Sequence, residues 1–600
     1  MPAFFCFLFA VFCFQWDAVA GNMSGGAMLL IRSGYFMVRK RIVINLVIYY
    51  TCDFRQYSAG EGGVLLRQHQ RSGKEGWRVL GLVFGYPTSN PKLQYASHTE
   101  TENTMIDERI LRPDLLRKIV TAEQAAQFIQ DGMVVGSSGF TKAGDSKAVL
   151  LALAERAKKD PLKITLITGA SLGQDTDAAL AGSHALSRRM PFQVDPILRK
   201  SINNGEVMFI DHHLCETVEQ LQNRHLPPMD IAVIEATLIE EDGSLVPTTS
   251  VGNSAHFAAL AQKVIVEVNL SMPLTLCGLH DIFLTGGYPN RSIIPITSPS
   301  TRIGRASIPI DPEKIVAVVI TEIHDSPAQI VPPDEKTTAI ASHLLEFFNH
   351  EVRMGRLKES LLPLQAGIGK VANAVLSGFL DSSFHDLTMY SEVLQDSTFE
   401  LFDAGKMTFA SASSITVSEA CYARIMKDFN RYKNKIVLRP QNISNSPEVI
   451  RRMGVIGINT AIEFDLYGNV NSTHIGGTKM MNGIGGSGDF ARNAFLSIFV
   501  TQAASKENTI SHVLPMVSHV DHTEHDVDIL VTDQGLADLR GLAPRERADI
   551  ILQHCVHPEY RDALKDYSDR ARKRGGHTPH VLEEAFSWHT RLAEHGTMKA

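Results

Sequence analysis

From about Ile110 onward, short runs of β-branched and other apolar residues alternate with stretches whose apolar positions recur every three or four residues. The runs Met133–Val135, Ile164–Ile167, Ile231–Ile234, Val264–Val268 and Ile315–Ile320 are apolar at nearly every position rather than at every second one. Strands buried on both faces read this way, which implies a parallel sheet covered by helices. The intervening helical patterns are Ala122–Gln130, Lys147–Ala157 and Val218–Gln222. After the Pro-rich linker Val331-Pro-Pro-Asp334, a second set opens with the amphipathic stretch Thr337–Met354. It continues through the strand candidates Leu387–Tyr390, Ile436–Leu438, Val455–Ile458 and Val527–Val531. The expected architecture is two α/β halves, at residues 105–330 and 331–575, followed by a tail at 576–600.

Residues 1–104 follow neither pattern. The apolar run at residues 3–15, ahead of Ala18-Val-Ala20, resembles a signal peptide without its preceding basic residue. That run and a second one, Ile42 to Tyr50, are too short to span a bilayer. From Asp53 to Thr104 the chain is polar and Gly-rich with no sustained period. We read residues 1–104 as an atypical extension outside the fold, with Met105 as a natural start. A genuine targeting signal is the competing reading.

Composition narrows the picture. The chain has 600 residues, too many for one core, with 44% hydrophobic and 20% charged residues, the balance of a soluble globular protein. A net charge of -7 leaves no basic footprint for nucleic acid, and nothing points to a membrane partner. Cys6, Cys13, Cys52, Cys215, Cys277, Cys421 and Cys555 form no CxxC pair, which fits a reducing cytoplasm.

Candidate chemistry gathers in the second half. In Tyr390-Ser-Glu392-Val-Leu-Gln-Asp396 a carboxylate interrupts an apolar, strand-like segment, where burying it is costly. Carboxylates form covalent intermediates, so Glu392 is a candidate nucleophile. Taken alone it also fits an acid paired with a nearby arginine. Four glycine segments accompany it: Gly136-Ser-Ser-Gly-Phe-Thr141, Gly367-Ile-Gly369-Lys-Val371, Gly468-Asn-Val-Asn471-Ser-Thr-His474 and Asn482-Gly-Ile-Gly-Gly-Ser-Gly-Asp-Phe490. The second lies between a predicted strand and the helical stretch starting at Ala372, where backbone N–H groups approach a ligand closely. The last has four glycines in six residues, followed by Asp489 and Arg492-Asn493, and its backbone is the expected ligand surface. The third reads as a hairpin or active-site loop. His519, His522 and His525 have neither HExxH spacing nor one strand face, so a polar loop is preferred to a metal site. No GxSxG elbow or cysteine nucleophile motif is present.

Over residues 110–600 these segments resemble the acetyl-CoA hydrolase/transferase family of class I coenzyme A transferases, most closely its succinate CoA-transferases. The resemblance rests on Leu364–Gly369, Tyr390–Gln395, Leu438–Glu448, Asn482–Asn493, Ser518–His525, Arg540–Leu542 and Phe586–Met598. It implies two related α/β CoA-transferase domains with mostly parallel sheets. Glu392 matches the family glutamate that attacks the acyl-CoA carbonyl and becomes a glutamyl-CoA thioester. Ile368 matches an oxyanion-hole N–H, while Asn445 and Gly486 match groups that hold the carboxylate. Gly367, Ile368, Gly369, Lys370 and Val371 match the CoA-binding turn, and Asn482, Gly486 and Lys506 match positions along the CoA. The resemblance further implies acyl-CoA and short-chain carboxylic acids as substrates, with no permanently bound cofactor and no metal. A homodimer is the default expectation for a soluble enzyme. Two departures matter: Asp533 stands where the family usually has glutamate, and Arg302 resembles a family arginine but fits a structural role equally well. An acetyl-CoA hydrolase is the leading rival function, and a CoA-binding subunit without chemistry is a more distant one.

Overall fold

The computed structural model describes residues 29–38, 41–50 and 100–600, apart from Asn290 and Ile330, with side chains from Met105 onward. The chain divides into two units after Leu93, and in the first Leu29–Val38 pairs antiparallel with Arg41–Tyr50. The signal-like run at residues 3–15 lies outside the described residues. Residues 94–600 form a second compact unit. Its first helix, Glu100–Arg109, crosses the expected boundary at residue 104 and buries Ile106.

The first sheet contains seven strands: β1 (Val134–Ser137), β2 (Ile164–Ile167), β3 (Leu186–Met190), β4 (Met208–Phe209), β5 (Ile231–Ala236), β6 (Lys263–Asn269) and β7 (Ile315–Thr321). They lie in the order β7-β6-β5-β1-β2-β3-β4, and every pairing is parallel. The second sheet has eight: β8 (Leu364–Ala366), β9 (Leu387–Tyr390), β10 (Met407–Ala412), β11 (Ile436–Leu438), β12 (Ile456–Thr460), β13 (Leu496–Val500), β14 (Ile529–Thr532) and β15 (Gly535–Asp538). Their order is β11-β10-β9-β8-β12-β13-β14-β15, parallel except for the final β14–β15 hairpin.

The two sheets share one winding. In each the first strand is central, three strands step outward on one side, and the chain then returns to build the other side. Each sheet therefore has a topological switch point beside its first strand, where α/β proteins bind ligands at the carboxyl ends of the strands. The periodicity of the sequence did not reveal this likeness.

Continuous apolarity predicted β2, β9 and β11 to the residue, because strands buried on both faces leave no polar alternation. Strand β3 was hidden by Arg188 and Arg189, the second of which is buried against Asp177 at 2.9 Å. The helix expected over Ala122–Gln130 stops at Ala126, although its Thr121/Gln124 capping box fixes the start. Helix Glu335–Arg353 is capped by Asp334 with Thr337 and buries Ile340, Leu344, Phe347 and Phe348 along one stripe. One apolar core runs from Ile106 to Val531 and takes residues from both sheets, so the halves share an interior. Tail residues Trp588 and Met598 are buried in a second cluster with Phe464 and Tyr560.

Candidate active site

Strand β9 ends at Tyr390, and Glu392 occupies the break before the short strand Val393–Leu394, rather than the strand interior that the sequence suggested. Its backbone carbonyl accepts from the Ser413 and Ser414 N–H groups at 2.8 and 3.1 Å, which turns the side chain out at the carboxyl edge of the sheet. The Tyr390 hydroxyl donates to the Ile443 carbonyl at 2.6 Å and so fixes the turn leading to Asn445. Asn445 Nδ2 then donates to Glu392 Oε1 at 3.0 Å.

Gly486 closes the other side. A Cβ at residue 486 would lie 1.8 Å from Glu392 Oε1 and 2.3 Å from Asn445 Nδ2, so only glycine fits. Glu392, Asn445 and Gly486, singled out from different segments of the sequence, thus meet in one place. Glu392 is 9% exposed. Burial pushes its carboxyl up to about 7, against the pull of the Asn445 hydrogen bond.

The Gly367–Val371 turn stands beside this group. Gln395, three residues beyond Glu392, donates to the Gly367 carbonyl at 3.1 Å. Ile368 is 51% exposed at the tip of the turn, and Gly369, with φ +128°, heads the helix Lys370–Gly378 without any side-chain cap. Lys370 pairs with Asp334 at 2.6 Å, and Val371 packs on the main core. Asn482 Oδ1 is buried and has no hydrogen-bond partner. Lys506 is exposed on a turn after Ala504–Ser505. A chain of contacts links its hairpin to the glycine turn, since Lys336, next to Asp334, donates to the Ala504 carbonyl at 2.8 Å.

Other singled-out residues take structural roles. Arg302 donates to the carbonyls of His280, Leu279 and Ile436. Asp533 accepts from the Ala503 N–H at 2.6 Å and from Gln534, and so tethers the segment that leads to Lys506. The three histidines diverge: His519 faces Asp521 at 3.2 Å, His522 lies buried between Ser472 and Ser487, and His525 belongs to a 3-10 turn. Among the described residues no three metal-ligating side chains converge. The Gly468–His474 segment does form a hairpin, in which Glu463–Asp465 pairs antiparallel with Val470–Asn471.

The first half supplies one wall. Asp211 Oδ1 accepts from Ile484 N–H at 2.8 Å, and Phe192 packs against Gly483 and Gly485. The Cys215 N–H donates to Asp489 Oδ2 at 3.2 Å, and that same oxygen accepts from Asn445 Nδ2 at 3.1 Å. Asp489 is therefore a second buried acid next to Glu392. Burial raises its carboxyl to about 8, the Glu392 charge pushes the same way, and hydrogen bonds from Cys215 and Asn445 oppose the shift. Asp489 was visible in the sequence beside the glycines, but its contact with Asn445 depends on the fold.

Comparison with known proteins gives the family. Models of the acetyl-CoA hydrolase/transferase N-terminal and C-terminal domains match residues 104–320 and 422–568. The chain is similar to a succinyl-CoA:acetate CoA-transferase of Clostridium kluyveri, with 48% identity over 496 residues, 82% of this chain and 92% of the relative. It is 43% identical over 519 residues to an acetyl-CoA hydrolase of Saccharomyces cerevisiae, covering 83% of this chain and 98% of the relative. Among solved structures, RipA from Yersinia pestis superposes with a TM-score of 0.61 at 21% identity, over 78% of this chain and 99% of its own. A 4-hydroxybutyrate CoA-transferase from Porphyromonas gingivalis does so with 0.54 at 20%, over 79% and 100%. These two likenesses bear on the fold alone.

Proposed function

This chain belongs to the acetyl-CoA hydrolase/transferase family, and on that premise we propose that it moves CoA between succinyl-CoA and acetate or propionate through a thioester on Glu392. It is an enzyme of the CoA-transferase and acetyl-CoA hydrolase kind. The observation that carries the finer reading is a buried carboxylate with no cationic partner among the described residues, held by Asn445 and Gly486 beside an uncapped helix start.

In this reading the Glu392 carboxylate attacks the acyl-CoA carbonyl, giving an acyl–glutamyl anhydride and CoA thiolate. The thiolate attacks the glutamyl carbonyl, the first acid leaves as carboxylate, and glutamyl-CoA remains. A second acid reverses both steps. Each tetrahedral intermediate develops an oxyanion, for which the Ile368 N–H at the exposed turn is the proposed donor. Such a donor typically contributes about 100- to 1,000-fold in rate. Gly367 to Val371, Asn482 and Lys506 are the proposed contacts of the CoA, which enters and leaves as substrate with no resident cofactor. A cytoplasmic homodimer is the setting we propose for it.

Acetyl-CoA hydrolysis is the second reading, favoured by the names of the fungal relatives. It differs only in that water takes the thioester. Intact mass after incubation with succinyl-CoA, followed by peptide mapping, separates the two. We expect a CoA adduct on the Glu392 peptide that acetate discharges and that Glu392→Ala abolishes. Thioester loss at the same rate with and without acetate, with no adduct, would refute the transfer reading.

A further inference from the structure

Two carboxylates, Glu392 and Asp489, share the single amide of Asn445, at 3.0 and 3.1 Å. Among the described residues neither has a lysine or arginine within salt-bridge distance. The nearest ionisable nitrogen is His213 Nδ1, 3.8 Å from Asp489 Oδ1. The groups facing Asp489 are thus Glu392 and Asn445 from its own half and Cys215 and His213 from the first half. Two further imidazoles, His212 and His522, lie close enough to His213 for their charges to interact. Two buried carboxylates this close, without a cation, do not both ionise readily and tend to share a proton.

The geometry says which oxygen takes that proton. The Cys215 thiol also bonds this carboxylate, but the donors from Asn445 and from the Cys215 backbone both land on Oδ2. Oδ1 receives neither and faces His213. The imidazole is held there by the bare backbone of Gly488, where an added Cβ would fall 2.3 Å from His213 Cε1. His213 Nδ1 itself has no hydrogen-bond partner.

We propose that Asp489 is the positioning residue of the site, carrying on Oδ1 the proton that the acid pair shares and fixing Asn445 through Oδ2, so that Glu392 reacts as the carboxylate. Burial displaces both carboxyls upward and the Glu392 charge pushes Asp489 further, the sense in which Asp489 keeps the proton. Environments that separate two neighbouring acids in this way divide their roles. The inference rests on the proposed role of Glu392, but fails in a distinguishable manner.

The test compares Asp489→Ala with the neutral isostere Asp489→Asn, both checked for folding by circular dichroism. Losing the Oδ2 acceptor in Asp489→Ala is expected to lower kcat by about 10- to 100-fold with little change in KM for the acyl-CoA. Asp489→Asn keeps an acceptor and no charge, so it should restore most of that loss. Its acid-side limb of kcat/KM against pH should stay within a few tenths of a unit of the wild type. Were Asp489 ionised in the working enzyme, removing its charge would move that limb down by about one unit or more. That displacement, or an Asp489→Asn variant as impaired as Asp489→Ala, overturns the inference while the Glu392 adduct still forms. Absence of the adduct in the wild type overturns both.

Discussion

The same winding produces two switch points in this molecule, and they treat buried charge in opposite ways. At the first, beside β1 and β5, Lys147 is completely buried, with its Nζ 2.7 Å from Glu235 and 2.9 Å from Asp325. Burial alone would lower the Lys147 pKa, but Asp325, Glu235 and Asp145 outweigh it and hold the amine well above its usual value. Glu267 fills the start of the following helix, Val149–Ala157, by accepting from the N–H groups of Lys147 and Val149 at 2.6 and 2.7 Å. At the second, beside β8 and β12, the helix Lys370–Gly378 starts with no side-chain cap, and Glu392 has no cationic partner among the described residues.

One crevice thus gives its buried acids a shared cation, although burial still raises Glu235 to about 7 and Asp145 to about 6, while the other leaves an acid and a helix start open. A helix start left open in this way favours an anion, and an unneutralised carboxylate is free to act on an electrophile. The comparison teaches that the topology selects the location, whereas the partners of the buried acid decide between structure and chemistry. Asp325 adds a structural consequence: it comes from the linker after β7, so the closed crevice also ties down the chain between the halves.

The most severe way to break the comparison is to remove the cation from the closed crevice. Lys147→Met leaves Glu235, Asp325 and Asp145 buried without their partner. The expected cost is about 3–5 kcal/mol of unfolding free energy, read from the denaturant midpoint at constant slope. A loss below about 1 kcal/mol would mean that the acids relax or protonate cheaply, and that the crevice is not held by charge.

Crowding the open crevice has a smaller and more local effect. Gly486→Ser would place a Cβ where the Glu392 carboxylate now sits. Displacing a reacting group by about 1 Å can reduce the rate about 100-fold, so kcat/KM for the acid should fall by about that factor. The dissociation constant for CoA, measured by titration calorimetry, should hold within about threefold, because its proposed contacts include the turn at Gly367–Val371. A loss of CoA affinity with acid use intact would contradict this assignment.

The strand pattern made the sheets legible, because consecutive apolar residues such as Ile436–Leu438 report burial on both faces. Glu392 and the glycine segment of Gly486 stood out locally, whereas Asn445 was reached only through the family resemblance; the structure brings the three together. The duplication was not, since it lies in strand order rather than in any residue. Nor were the charge partners: Lys147 meets Glu235 across 88 residues, and Cys215 meets Asp489 across 274. Such pairs leave no local period. Asp533 and Arg302 show the reverse limit, because their segments were distinctive while Arg302 bonds backbone carbonyls and Asp533 bonds the Ala503 N–H and the Gln534 side chain.

The finest test of the contrast concerns stability rather than rate. If the open crevice holds an uncompensated acid, that acid destabilises the fold whenever it is charged. The folded protein binds the Glu392 proton up to about 7, whereas an unperturbed carboxyl releases it near 4.5. Between those values the folded state holds more protons than the unfolded chain, so the Glu392 contribution to stability falls as pH rises through this window and stays low above it. Glu392→Gln removes the charge and keeps an oxygen to accept from Asn445. It should therefore be more stable than the wild type by about 1–3 kcal/mol at pH 8, with the gap closing towards pH 5. Lys147→Met should show the opposite sign at neutral pH. A Glu392→Gln variant that is less stable than the wild type across this range would mean that the carboxylate is compensated after all, and that the two crevices differ in geometry rather than in charge.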